Sequence, residues 1–170
     1  TLFRSAEAVG EVLKEQGLNG LSRLAERTSQ SGLVGSSLAC RTGDYDEVML
    51  DWVVGSEERS QIATGYLARR MREEGGDLRD RLLDLTQDPV AQARILRLSG
   101  DPSRAWEKLA DLDPQVSEHY WREFSYLGLG HDFSHVTEAA RSLLDAGRPS
   151  AALDLIVLYS HNDLPGVEAA

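Results

Sequence analysis

Residues 88–112 read DPVAQARILRLSGDPSRAWEKLADL, and residues 135–159 read HVTEAARSLLDAGRPSAALDLIVLY. Set 47 residues apart without a gap, they share Ala93 with Ala140, Arg94 with Arg141, Leu96 with Leu143, Gly100 with Gly147, Pro102 with Pro149, Ser103 with Ser150 and Ala105 with Ala152. The shared residues have one physical sense. Alanine at matching places lets two helices approach closely, glycine ends the first helix, and proline opens the second. Self-similarity of this kind predicts one helix–turn–helix unit used twice. The recurring G-x-P-S-x-A asks for more than the Leu and Ala content that helical hairpins share. No third copy is evident in the N-terminal half.

Outward from these segments, Asp88-Pro89, Asp101-Pro102 and Asp113-Pro114 each set a capping carboxylate ahead of a proline suited to a first helical turn. Arg148-Pro149 has the proline without the carboxylate. Four of the five prolines thus stand where helices begin, a pattern that strand interiors do not tolerate. Asp44 with Glu47, and Asp77 with Asp80, have the form of capping-box N-termini, while Gly17, Gly43, Gly75, Gly100, Gly130 and Gly147 fall where helices should stop. These marks predict about eleven short helices, over 2–15, 20–29, 31–41, 45–54, 57–74, 78–87, 89–98, 102–111, 114–125, 134–146 and 149–160. Short linkers make sequence neighbours antiparallel. The expected fold is all-α: an α-solenoid, a right-handed stack of helical hairpins, forming one domain over 1–170. N-terminal helices occupy 1–87 and the two related hairpins 88–170.

Most of these helices carry a single apolar stripe, such as Tyr45, Val48, Met49 and Trp52, or Ile62, Tyr66, Leu67 and Met71, or Val136, Ala139, Ala140, Leu143 and Leu144. The last differs. Ala151, Ala152, Leu153, Leu155, Ile156, Val157 and Leu158 leave only Asp154 polar, which predicts a helix covered on nearly all sides, with a buried strand as the alternative. If the array continues in a parent protein, the next repeat supplies that covering. Thr1 reads as a boundary inside such a longer chain.

The spacing of small residue, Leu, Gly and then Ala (Ala93, Leu96, Gly100, Ala105; Ala140, Leu143, Gly147, Ala152) resembles tetratricopeptide-type hairpins, and the 47-residue period is nearer to HEAT or armadillo units. The resemblance spans the two segments quoted above. It departs from a standard tetratricopeptide unit in lacking the early Trp and the closing Pro. The extra length corresponds to the helix opening at Pro114. Such families imply partner binding on a concave helical surface, often as the recognition part of a large multidomain protein. The final third also looks like helical regions of large bacterial multidomain proteins.

A chain of 170 residues, 41% of them apolar, has material for one ordinary domain or a short repeat array. A net charge of -10 argues against a partner held through phosphate contacts, which draw on clustered Lys and Arg. Even the densest basic stretch, 59–81, interleaves Arg69, Arg70 and Arg72 with Glu73, Glu74, Asp77 and Asp80, the signature of a mixed-sign solvated face. The lone Cys40 excludes an internal disulfide, sits among Ser37, Leu38 and Ala39 as a core filler, and suits a reducing, cytoplasmic compartment. The longest apolar run, 155–159, is far too short to span a bilayer.

Chemistry-bearing patterns are few. His131-Asp132-x-x-His135, followed by Glu138, has the spacing for a metal site, and the alternative functional reading is a metal-dependent hydrolase using those three residues. Gly128 and Gly130, however, put His131 in a loop, and Asp132 or Ser134 is better placed as a helix cap. Glu118 and Glu123 around His119 read as a solvated helix face rather than a glycosidase carboxylate pair. No phosphate-cradling glycine loop and no Ser–His–Asp arrangement is visible. No cofactor or metal is expected. Trp52, Trp106 and Trp121 lie on or beside apolar stripes, Trp121 being the one expected to be partly exposed because Tyr120 already fills its stripe. The preferred reading is a non-catalytic scaffold that binds another protein or peptide, or another part of its parent chain, with Trp121, Tyr126, His131 and His135 as candidate contacts.

Overall fold

The computed structural model describes residues 2–99, 102–125 and 136–160. Among them are ten helices and no strand: α1 (Leu2–Glu26), α2 (Ser31–Ala39), α3 (Asp46–Val53), α4 (Glu57–Glu74), α5 (Gly76–Leu85), α6 (Pro89–Leu98), α7 (Pro102–Leu109), α8 (Pro114–Glu123), α9 (Val136–Asp145) and α10 (Pro149–Ser160). They form two compact units, 1–100 and 101–170.

Local chemistry accounts for the boundaries. Asp88 opens α6 by accepting hydrogen bonds from the Val90 and Ala91 amides at 2.8 and 2.9 Å, and Asp113 opens α8 by accepting from the Gln115 amide at 2.8 Å. α1 is broken at Gly17, whose φ of 62° and ψ of -161° are non-helical, and α4 ends at Gly75, with φ 74°. The two capping boxes expected elsewhere do not form. Asp44 stays in the turn, where its carboxylate takes the Thr42 hydroxyl at 2.6 Å, so Tyr45 is the residue before α3. α5 starts at Gly76, which leaves Asp77 in the first turn and Asp80 paired with its neighbour Arg79.

The first unit is organised around α4. Its stripe of Ile62, Ala63, Tyr66, Leu67 and Met71 is buried, and α1, α2, α3, α5 and α6 all pack on it. The closest approach is that of α2, the small-residue helix SGLVGSSLA. A Cβ on Gly35 would lie 1.8 Å from the Ile62 carbonyl oxygen, and one on Gly65 would lie 1.9 Å from that of Gly32, so only glycine lets the two backbones meet. α2 stops at Ala39. Cys40 therefore falls off its buried face and is exposed, contrary to the core position its neighbours suggest.

In the second unit α8 packs on α7 and on α9, and α9 and α10 form a tightly packed hairpin. Helix α6 spans 89–98 and α9 spans 136–145, and α7 and α10 begin at 102 and 149, so these bounds recur at the 47-residue interval. Buried side chains recur with them: Ala93 with Ala140, Leu96 with Leu143, and Ala105 with Ala152. The first of the matched segments is divided between the units, α6 closing one and α7 opening the other. No helix among the described residues is long and apolar enough to cross a membrane.

Candidate interaction surface

The hairpin α9–α10 is shaped by its turn. Gly147 has φ 71°; its amide reaches the Leu144 carbonyl at 2.9 Å and the Arg148 amide reaches the Leu143 carbonyl at 2.8 Å, the paired bonds of a Schellman stop. Pro149 then begins α10. The Arg148 side chain turns to α8, where its Nη1 donates to the carbonyls of Trp121 at 2.9 Å and Phe124 at 2.7 Å, a cation on orphan acceptors at a helix C-terminus.

This turn sets the rotation of α10. Ala152, Leu155 and Tyr159 lie on one side and are buried. Leu153, Ile156 and Val157, at i, i+3 and i+4, lie on the other and are 62%, 44% and 52% exposed. Asp154 is the sole charged residue of the helix. Leu144 of α9 is also half exposed, as is Leu158. Of eight large apolar residues exposed among the described residues, five belong to this hairpin, which concentrates exposed apolar surface there. The expectation that α10 is covered on nearly all sides is therefore corrected: one face is covered and the opposite one is open.

Behind the hairpin lies an aromatic cluster. Trp121 sits 5.4 Å from Trp106, 5.1 Å from Tyr120 and 5.0 Å from Phe124, measured between ring centroids, and the Trp106 indole donates to the Tyr120 hydroxyl at 3.1 Å. Trp121 is buried, and Trp106 is the more exposed of the two. The expected exposure of Trp121 fails because Tyr120 and Trp121 both enter the core: α7 brings Trp106 over them and widens the apolar stripe. The rings pack against one another.

Tyr126, His131, Asp132 and His135 lie outside the described residues. Among the described residues no group of three or more His, Cys, Asp or Glu is arranged to hold a metal. Glu118 and Glu123 are exposed, and Glu118 pairs with Arg122 one turn away. That arrangement is a solvated face, without the facing carboxylates that glycoside chemistry needs.

The first unit holds a polar network that sequence reasoning missed. Asp46 accepts from the Tyr66 hydroxyl at 3.0 Å, from Nε and Nη2 of Arg70 at 3.3 Å each, and from Arg81 Nη2 at 3.2 Å. Burial, then the Asp46 charge, push the Tyr66 phenol well above its ordinary range, and the hydrogen bond to Asp46 raises Arg70 further. A phenol that stays neutral, a permanent cation and a carboxylate saturated with donors leave no group poised to transfer a proton or attack a substrate. The network ties α3 to α4 and α5.

No protein-family model, curated protein or solved structure matches the chain.

Proposed function

We propose that this chain is a helical interaction module, of helical-repeat type in its C-terminal part, that binds a protein or peptide, or another part of its parent chain, rather than converting a substrate. One observation carries the reading: the outer face of α10, Leu153, Ile156 and Val157, is apolar, nearly uncharged and open to solvent. Contiguous exposed apolar surface on a folded chain is the usual mark of a docking face. The recurrence of helix bounds and buried alanines at the 47-residue interval supports treating α9–α10 as a stacking unit, whose outer face in a solenoid is the one its neighbour or ligand covers. The lone, unbridged Cys40 fits a reducing, cytoplasmic setting for the same module.

The test is selection of a displayed peptide library on the immobilised chain, with Leu153→Ser/Ile156→Ser as the counter-screen. Both side chains are exposed, so the double variant should keep its stability to within about 0.5 kcal/mol. The expected ligands bind the parent sequence and lose the folded double variant. Ligands that bind both proteins equally would remove the reading.

A further inference from the structure

The first unit has a recess that this reading does not use. Glu47, Val48, Leu50 and Asp51 of α3, with Leu85 and Thr86 at the end of α5, line an open groove of about 360 Å³. Val48, Leu50 and Leu85 supply its apolar part: Leu50 is buried, Val48 partly so, and Leu85 stands 51% exposed. Its rim is anionic. Glu47 and Asp51 are one turn apart on α3, so their carboxylates share a face, and both are exposed. No cation among the described residues pairs with either. Of the arginines that pack on α3, Arg70 pairs with Asp46 and Glu74, Arg81 with the same two carboxylates, and Arg94 bonds the Val53 carbonyl.

Two unneutralised carboxylates at helical spacing beside a groove with an exposed leucine select among ligands. Phosphate-bearing ligands and anionic lipid are repelled, as they are by a chain of net charge -10. A metal finds only two carboxylates. A small molecule finds an open trough rather than the enclosing cavity that buries most of a ligand's surface. What fits both the apolar part and the rim is a segment that carries an apolar side chain with Lys or Arg about one helical turn away.

We propose that the α3–α5 groove docks a basic amphipathic helix of a partner protein. Its leucine-type side chain seats on Val48, Leu50 and Leu85, and its cations pair with Glu47 and Asp51. The site shares no residue with the α10 face and does not depend on that face having a ligand. Net negative charge speeds the encounter, and the groove fixes where it ends.

The experiment is fluorescence anisotropy of the full chain with a labelled Lys/Leu amphipathic helical peptide, and with its Glu/Leu counterpart, at low and high salt. The parent chain should bind the basic peptide in a salt-sensitive way and ignore the acidic one. Glu47→Lys/Asp51→Lys should weaken binding by about tenfold or more, since attraction becomes repulsion at both rim positions. Leu85→Ser should weaken it by a similar factor at both salt concentrations. Glu11→Lys/Glu15→Lys, a pair with the same spacing and exposure on α1, changes net charge equally and should alter binding by no more than about twofold, as should Leu153→Ser/Ile156→Ser. Circular dichroism confirms that each variant keeps its helix content. The proposal is overturned if the parent chain does not bind the basic peptide, if the rim variant or Leu85→Ser binds as well as the parent, or if the α1 control loses as much as the rim variant.

Discussion

The two units solve the same problem, burying the faces of short helices, in opposite ways. In the first, a long central helix collects five others, glycines bring α2 against it, and charged side chains in the bundle are tied together: Asp46 with Arg70, Arg81 and Tyr66, and Arg94 with the Val53 carbonyl and Ser60 hydroxyl. In the second, an aromatic cluster packs with Leu109, Val116, Leu143, Leu155 and a few alanines to make the core, while α10 leaves Leu153, Ile156, Val157 and Leu158 exposed. A helix as apolar as α10 is normally buried all round. The difference is one of closure: the first unit encloses the stripe of its central helix, and the second leaves one face of α10 exposed.

The largest expected effect tests the tight half of that contrast. Gly35→Ala places a methyl 1.8 Å from the Ile62 carbonyl oxygen, a backbone atom that the rest of the bundle holds in place. Separating α2 from α4 should cost about 3 kcal/mol in urea unfolding, at the upper end of overpacking effects. Amide exchange should quicken across α2 and α4 and stay unchanged in α9 and α10. A loss below about 1 kcal/mol would mean that the helices are not in backbone contact, and the tight half would need another explanation.

Next in size is the Asp46 network. Asp46→Ala leaves Arg70, whose side chain is only 14% exposed, without its main partner, and should cost about 2 kcal/mol; Asp46→Asn, which keeps an acceptor, should cost less. Tyr66 adds a pH signature. Burial and the Asp46 charge raise its folded pKa above the ordinary 10.0, so an unfolded chain ionises this phenol first. Its contribution is complete below about pH 10 and is lost as the solution becomes more alkaline. The parent chain should therefore lose stability above that pH more steeply than Tyr66→Phe in parallel urea titrations. Equal slopes would show that the phenol is not shielded.

How much of this could be read in advance follows from the range of the interactions. Helix bounds set by neighbouring residues were legible: 57–74, 89–98 and 149–160 match the sequence expectation because Gly75, Asp88-Pro89 and Gly147 with Pro149 act within one turn. The capping box at Asp44 was misread because Thr42 takes the Asp44 carboxylate. The hub role of α4 was not legible, since Gly35 meets Ile62 and Gly65 meets Gly32 across a sequence distance that no local pattern spans. At the surface, the apolar character of α10 was plain in the sequence, but its rotation depends on the Gly147 turn and on what α9 offers it. Trp121 was misjudged for a related reason: the ring that covers it comes from α7.

The smallest effect concerns the seam on which that rotation depends. Arg148 follows the glycine that ends α9 and reaches two carbonyls at the end of α8, where Phe124 leaves the helix at φ -57° and ψ 137°. Arg148→Ala removes both bonds and a cation from that terminus, for about 1 kcal/mol. Arg148→Lys keeps the charge without the planar fork and should recover part of it. In a Trp52→Phe background, where the remaining indoles are Trp106 and Trp121, the emission of Arg148→Ala should shift to the red as the end of α8 loosens over the cluster. If emission and stability both stay unchanged, the aromatic rings alone hold α8 in place. The orientation of α10 would then rest only on its packing against α9, and its open face would be a consequence of two helices rather than three.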